Sequence, residues 1–363
     1  MFSLCKNSFM KRFLFVLLLL VSGYVVSYAQ NADAQLVEII DSMHFRCVGV
    51  RYAFTEDRKS LYVDKNNNDE TPTTITIMRQ LNIDGKMYPV KRIGPCAFYG
   101  CRNITKVLIF DNIEIIDSSA FRWCVNLSNI TISNNVKRIG PDCFRNCNNL
   151  RNFHFPKSLQ FISAGAFRAS GLMTIVLPDG LKDIGAYAFE GCKSLTAVRF
   201  PWGLKSIGKE AFANCWSLTS VSLYDQLRSV GEGAFLSCRS LQTIAFTKVV
   251  DSRIKTMVAA DAFAECKKLT NVECNTGRTG KVKDIVFHEN SFRDSGVNLE
   301  SVVFGGKPVS DPNATKHKKG EPEFDEEDTS IDADNADRLR TSETVKRARK
   351  KIGVRKNTKK KKR

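Results

Sequence analysis

From about residue 90 to residue 304 the apolar positions fall into two alternating blocks. The first reads L-x-x-I-G, as in Leu181-Lys182-Asp183-Ile184-Gly185, and leads to Ala188-Phe189. The second reads C-x-x-L-x-x-I-x-L, as in Cys215 to Leu223, where Val221 and Leu223 alternate with Ser220, Ser222 and Tyr224. Alternation with a period of two predicts a half-buried strand. The Phe that joins the blocks recurs at Phe98, Phe121, Phe144, Phe167, Phe189, Phe212, Phe235, Phe263 and Phe292, at spacings of 23, 23, 23, 22, 23, 23, 28 and 29 residues. A fixed period in the twenties predicts a solenoid, because no single unit can bury its own apolar side and stacked neighbours can.

Stacking these units places their strands side by side in a parallel sheet, with ~4.8 Å between neighbours. Two inward ladders follow. One is the row of Phe residues; the other is Ile109, Ile132, Phe155, Leu177, Phe200, Leu223 and Phe246. Gly94, Gly140, Gly185, Gly208 and Gly231 share one place in the repeat, which predicts a bend with no room for a side chain. Pro156, Pro178 and Pro201 follow the strand, where a missing donor costs little. Extra residues between Thr247 and Ala260, and between Asn275 and Asp284, predict loops on one face of the solenoid.

The flanks are different. Residues 1–29 read as a secretory signal peptide: Lys6, Lys11 and Arg12, an apolar run from Phe13 to Val21, then a small-x-small step ending at Ala29. Residues 30–89 read as a small β cap over the first coil, with alternating segments at Met43 to Val48, Ser60 to Val63 and Thr73 to Met78. Asn66 to Asp69 predicts a loop, and Asp84-Gly85 a hairpin turn. Residues 90–306 form the solenoid. Residues 307–363 hold too few apolar side chains to offset ordering entropy and read as disordered, acidic first and basic afterwards. The chain's net charge of +17 is largely local to that end, where thirteen Lys and Arg between Arg340 and Arg363 face the single Glu343. The charge therefore describes the tail more than the fold.

Cys101, Cys124, Cys147, Cys192, Cys215, Cys238 and Cys266 each sit three residues after a repeat Phe, and Ser170 and Ser295 hold that place in the other two units. Stacked coils bring these positions close enough for disulfides, which an exported protein tolerates. Seven cannot pair fully, however, and the two Ser replacements favour a buried, small, weakly polar site filled by free thiols. Metal binding is the weaker reading, since no C-x-x-C pair occurs.

The recurring A-F-x-x-C-x-x-L-x-x-I-x-L-P phrase, with its lead-in Asp84-Gly85-Lys86-Met87-Tyr88-Pro89-Val90, resembles the BspA-like leucine-rich repeat family over about residues 88–304. The resemblance implies a leucine-rich-repeat solenoid: a β-rich superhelix of the α/β type with a parallel sheet of about nine coils. It also implies a secreted or cell-surface protein that binds other proteins, in adhesion to host matrix or to other cells. It carries no catalytic residue and no cofactor.

The residues agree on chemistry. His44, His154, His288 and His317 are scattered, and no HExxH, P-loop or GxGxxG motif appears. The expected functional surface is the outward side of the strands, whose residues vary from coil to coil. His154, Arg199, Trp202 and Tyr224 are its candidate anchors for an extracellular protein, because aromatic residues and Arg dominate interface energetics. The alternative is a polyanion binder acting through Lys346, Arg347, Arg349, Lys350, Lys351, Lys359, Lys360, Lys361, Lys362 and Arg363, with extracellular DNA, a glycosaminoglycan or acidic envelope groups as partner.

Overall fold

A computed structural model describes residues 37–67, 71–224, 226–247, 254–275, 285–297, 303–304 and 307–308. Residues 1–29, expected to be a signal peptide, and the basic residues 346–363 lie outside the described residues. Two rows of short parallel strands run along the molecule, joined in each coil by a compact turn. The second block of each repeat supplies one row: 74–76, 106–108 and 129–131 pair in parallel, as do 174–176 and 197–199, and 220–224, 243–247 and 271–275. The first block supplies another row of mostly two-residue strands, from Ile115–Ile116 to Ile285–Phe287. Two residues are too few to display a period of two, so this row carries no strand pattern in the sequence.

The turn around each Phe has an unexpected form. No helix occurs among the described residues, so the α/β-type superhelix is corrected to strands and turns. In all nine coils the residue two after the Phe has positive φ, and in eight the residue two before does; the values run from 50° to 72°. Left-handed residues on both sides stop a right-handed helix from starting. Amide groups in this turn alternate in their partners. Tyr99 and Cys101 donate to carbonyls three residues back, Cys96 and Phe98 O, whereas Cys96, Phe98 and Gly100 donate across to Ser118, Ala120 and Arg122 of the next coil. The same three cross-coil bonds repeat at every interface up to that between Phe263 and Phe292.

Both strand rows are interrupted at one coil, and the second row breaks again between Ala197–Arg199 and Ser220–Tyr224. The first breaks between Arg138–Ile139 and Phe161–Ile162, and the second has no strand at residues 152–154. This coil carries Phe153 and Phe155 at both inward strand positions, and Phe153 packs edge-on against Phe144 and Phe167. The Phe153 ring occupies space that Val or Ile fills in the other coils, beside a second ring at Phe155. The turn bonds continue across it, from Phe144 N to Ala166 O at 2.7 Å.

Inside the coils the Phe side chains form one stack from Phe98 to Phe292, with neighbouring centroids 5.0–5.4 Å apart and interplanar angles of 2–15°. Eight of the nine are fully buried and Phe292 nearly so. The second ladder is buried too, except that Ile132 is partly exposed.

The cap segment continues the solenoid rather than only covering it. Leu61–Val63 pairs in parallel with Lys86–Ile93, and Thr74–Thr76 with Lys106–Leu108. Asn66 stands where a repeat would carry its Phe: its N–H donates to Ala97 O at 2.7 Å, as Phe98 N–H does to Ala120 O. The Asp84-Gly85 hairpin forms as expected between Gln80–Ile83 and Lys86–Ile93.

The repeat glycines work by close approach. A Cβ at Gly94, Gly140, Gly185, Gly208 or Gly231 would come within 2.5–2.8 Å of the preceding coil's backbone. Gly100 is the opposite case, with φ of +72° and open space around it. Gly100→Ala is expected to cost about 1 kcal/mol for the left-handed backbone alone, and Gly208→Ala to cost more; the reverse order in urea denaturation contradicts this. Phe189→Ala removes a fully buried ring from the stack and is expected to cost about 3–5 kcal/mol. An unchanged denaturation midpoint contradicts that.

Candidate functional site

The turn that carries the Phe also explains the cysteine ladder. Each thiol points back at the carbonyl of the preceding coil's Phe: Cys124 Sγ donates to Phe98 O at 3.0 Å, and Cys147 to Phe121 O at 3.1 Å. Cys192, Cys215, Cys238 and Cys266 repeat the contact at 3.2–3.3 Å. Cys101, in the first coil, faces Asn66 O, the equivalent carbonyl of the cap. Each of these Phe carbonyls already accepts a backbone N–H from its own turn, so the thiol fills its second lone pair. Ser170 meets Cys192 Sγ at 3.4 Å instead. All seven ladder thiols are free and buried. Among the described residues no group of three or more His, Cys, Asp and Glu gathers at metal-binding distance.

Burial pushes the Cys192 thiol up to about 11, and raises Cys124, Cys147, Cys215 and Cys238 well above the ordinary value of 9.0 for the same reason. The folded state thus holds thiols protonated that the unfolded chain ionises. Their contribution is fully present below pH 9 and is lost as the pH rises from 9 towards 11, by about 1.4 kcal/mol per pH unit for each thiol. Denaturation midpoints are expected to fall steeply across that interval, and a set of Cys→Ser variants to flatten the fall. In native protein at pH 8 these thiols should resist Ellman's reagent until urea is added; immediate stoichiometric labelling contradicts the geometry.

On the outward face, the four candidate anchors divide. Trp202 and Tyr224 come together, with ring centroids 4.5 Å apart and planes at 20°. Tyr224 takes the place that Pro156, Pro178 and Pro201 hold in earlier coils, and its ring packs partly on the core. Trp202 lies over it and is 53% exposed. Arg199 lies exposed on Ala197–Arg199, in register with Val176 of the preceding coil. His154 occupies the equivalent position in the coil that lacks a strand, is exposed, and stands apart from the stacked Trp202–Tyr224 pair.

Two features lie outside the four candidate anchors, although Val176 is among the varying outward residues. Val176 is 57% exposed and Met173 41%, so an apolar strip precedes Arg199. Met173 stands at a position filled by Thr or Ser in most other coils, as at Thr196 and Thr219, and that break in the polar series was its available signal. On the turn side, Trp216 is held between Lys193 Nζ, 4.1 Å from the ring centroid, and the Arg239 guanidinium at 4.6 Å.

Comparison with solved structures finds further leucine-rich repeat proteins. One from Bacteroides ovatus is 21% identical, covers 71% of this chain and 81% of its own, and has a TM-score of 0.48. A leucine-rich repeat protein of T. pallidum is 24% identical, with 62% and 78% covered and a TM-score of 0.30. A leucine-rich cell surface protein from Faecalibacterium prausnitzii is 18% identical, with 68% and 98% covered and a TM-score of 0.29. No curated protein sequence matches the chain. The BspA type leucine rich repeat region, in six copies, matches residues 78–196 and 160–293, more than half of the sequence. With the repeat, its stacked Phe rings and its two strand rows in place, this chain belongs to the BspA-type leucine-rich repeat family.

Proposed function

We propose that this is an exported, non-enzymatic protein that binds an extracellular protein partner through the outward face of its second strand row. The stacked, exposed Trp202–Tyr224 pair carries the reading, beside Arg199 and the exposed Val176. An aromatic ring pre-stacked on its neighbour loses little side-chain freedom on binding, and a Trp with an Arg nearby is the composition of an interface hot spot. Arg199 and Tyr224 lie on strands of two separate parallel sheets, and the turn bonds that cross from Phe189 to Ala211 and from Phe212 to Ala234 hold the coils bearing them in a fixed stack. Export is supported by the basic, apolar and small-residue order of positions 6–29. No helix among the described residues is long and apolar enough to cross a membrane.

The test is a pull-down from host matrix and cell-surface fractions with the full chain and with H154A/R199A/W202A/Y224A. The variant is expected to keep its melting temperature and to lose its partner at least tenfold. Retained affinity with an intact fold defeats the proposal. The concentrated positive charge of residues 340–363 favours the second reading, polyanion binding by the tail. Deleting residues 307–363 separates the two: protein binding survives the deletion on the first reading and binding is lost on the second.

A further inference from the structure

A column of cations that make no ion pair among the described residues runs along the corner where a coil passes from the second strand row to the first. Lys182, Lys205 and Arg228 occupy one repeat position in three successive coils, each seven residues before its Phe. Backbone bonds fix them directly above one another: Lys182 N–H donates to Gln160 O at 2.6 Å, Lys205 N–H to Lys182 O at 2.6 Å and Arg228 N–H to Lys205 O at 2.7 Å. Coils rise by ~4.8 Å, so the like charges sit close together. All three side chains are exposed, and none makes an ion pair among the described residues.

The same column behaves differently upstream. There it alternates in sign, Lys91, Glu114 and Lys137, and both cations pair with Glu114, at 3.6 and 3.0 Å. Charge in this row is thus compensated upstream, whereas the three downstream cations repel one another with no ion pair among the described residues. A ligand with several negative charges relieves that repulsion.

The neighbouring groups narrow the ligand. The next position in each coil holds Asp183, Ser206 and Ser229, and Ser206 Oγ donates to Asp183 Oδ1 at 2.7 Å. Asp179 and Asp183 flank Lys182 in sequence without pairing with it. Such a surface suits a polymer that offers hydroxyl groups between its acidic ones, more than one with a phosphate at every unit. The Lys182 ammonium lies over Gly203, where an added Cβ would meet it at 2.9 Å, and Gly203 follows the exposed Trp202. That ring is a flat apolar platform at the edge of the column, of the kind on which the apolar face of a sugar ring packs. A single platform beside three cations does not suit a nucleic acid strand, which stacks successive bases on successive aromatic rings.

We propose that Lys182, Lys205 and Arg228 form a binding site for a linear acidic polysaccharide on the body of the solenoid, separate from the basic tail. The site shares Trp202 with the proposed protein-binding face but does not depend on that reading. It is tested in the full-length chain with the basic residues from 346 to 363 replaced by Gln, so that the tail contributes no charge. Size-defined heparin and polyuronate oligosaccharides serve as sulfated and carboxylated probes, with oligothymidylate and poly-glutamate as the other polyanion classes. K182Q/K205Q/R228Q is expected to lower affinity for at least one oligosaccharide tenfold or more, and to reduce the slope of log affinity against log salt by roughly two. K182R/K205R/R228K should retain binding, and K91Q/K137Q should leave it unchanged. Capture of a protein partner should survive the triple Gln variant, which keeps His154, Arg199, Trp202 and Tyr224. Unchanged oligosaccharide affinity in the triple Gln variant overturns the proposal. So does oligothymidylate or poly-glutamate binding more tightly than both oligosaccharides with the same dependence on the three cations.

Discussion

The three hydrogen bonds that each Phe turn sends to the next coil are the constraint on which the rest of the solenoid depends. They form at every interface from Phe98 to Phe292, including the one where both strand rows stop. Their geometry requires alternate amides to face along the solenoid axis, and the left-handed residues around each Phe provide this. Most of those residues are not glycine, so the backbone carries strain that only the stacked neighbours offset. A single coil has no reason to adopt this turn. A stack does.

Several properties follow from that arrangement. The Phe rings are brought into near-parallel contact at 5.0–5.4 Å, so the core is an array of repeated pairs rather than a set of unique contacts. Each Phe carbonyl is left with one lone pair aimed at the following coil, and Cys is small enough to fill the gap and polar enough to answer it. The ladder of thiols is therefore a satisfied part of the backbone network, which accounts for the absence of bridges between cysteines that stack so closely. Because the inward positions are spoken for, variation between coils is confined to the outward faces and the corners. Trp202, Tyr224, Arg199 and the Lys182 column all lie there.

The repeat, its period, its inward ladders and its thiols were legible because stacking forces the same residue type to return at the same interval. Features that use a residue's backbone alone were not. The first strand row is only two residues deep, the turn's left-handed positions accept Ser, Asp, Tyr, Ala, Trp and Glu, and Asn66 replaces Phe in the cap with no apolar side chain to betray it. The outward face was legible as a list of varying residues and no further. Which of them touch is decided by a substitution such as Tyr224 for the usual Pro, which lets Trp202 lie flat on a neighbouring coil. His154, chosen by type, stands apart in the coil where two Phe rings displace the strand.

Native-state hydrogen exchange of the backbone amides tests the central claim most directly. Phe144 N–H makes the turn bond across the interface where the first strand row breaks, and Phe167 N–H the turn bond across the next. They are expected to be protected to the level of the global unfolding free energy, like Phe189 and Phe212, and far more than the amides of Asn152 and His154 in the strandless coil. Exchange of the Phe144 amide as fast as that of Asn152 would contradict the account, placing the continuity of the solenoid in its sheets instead of its turns.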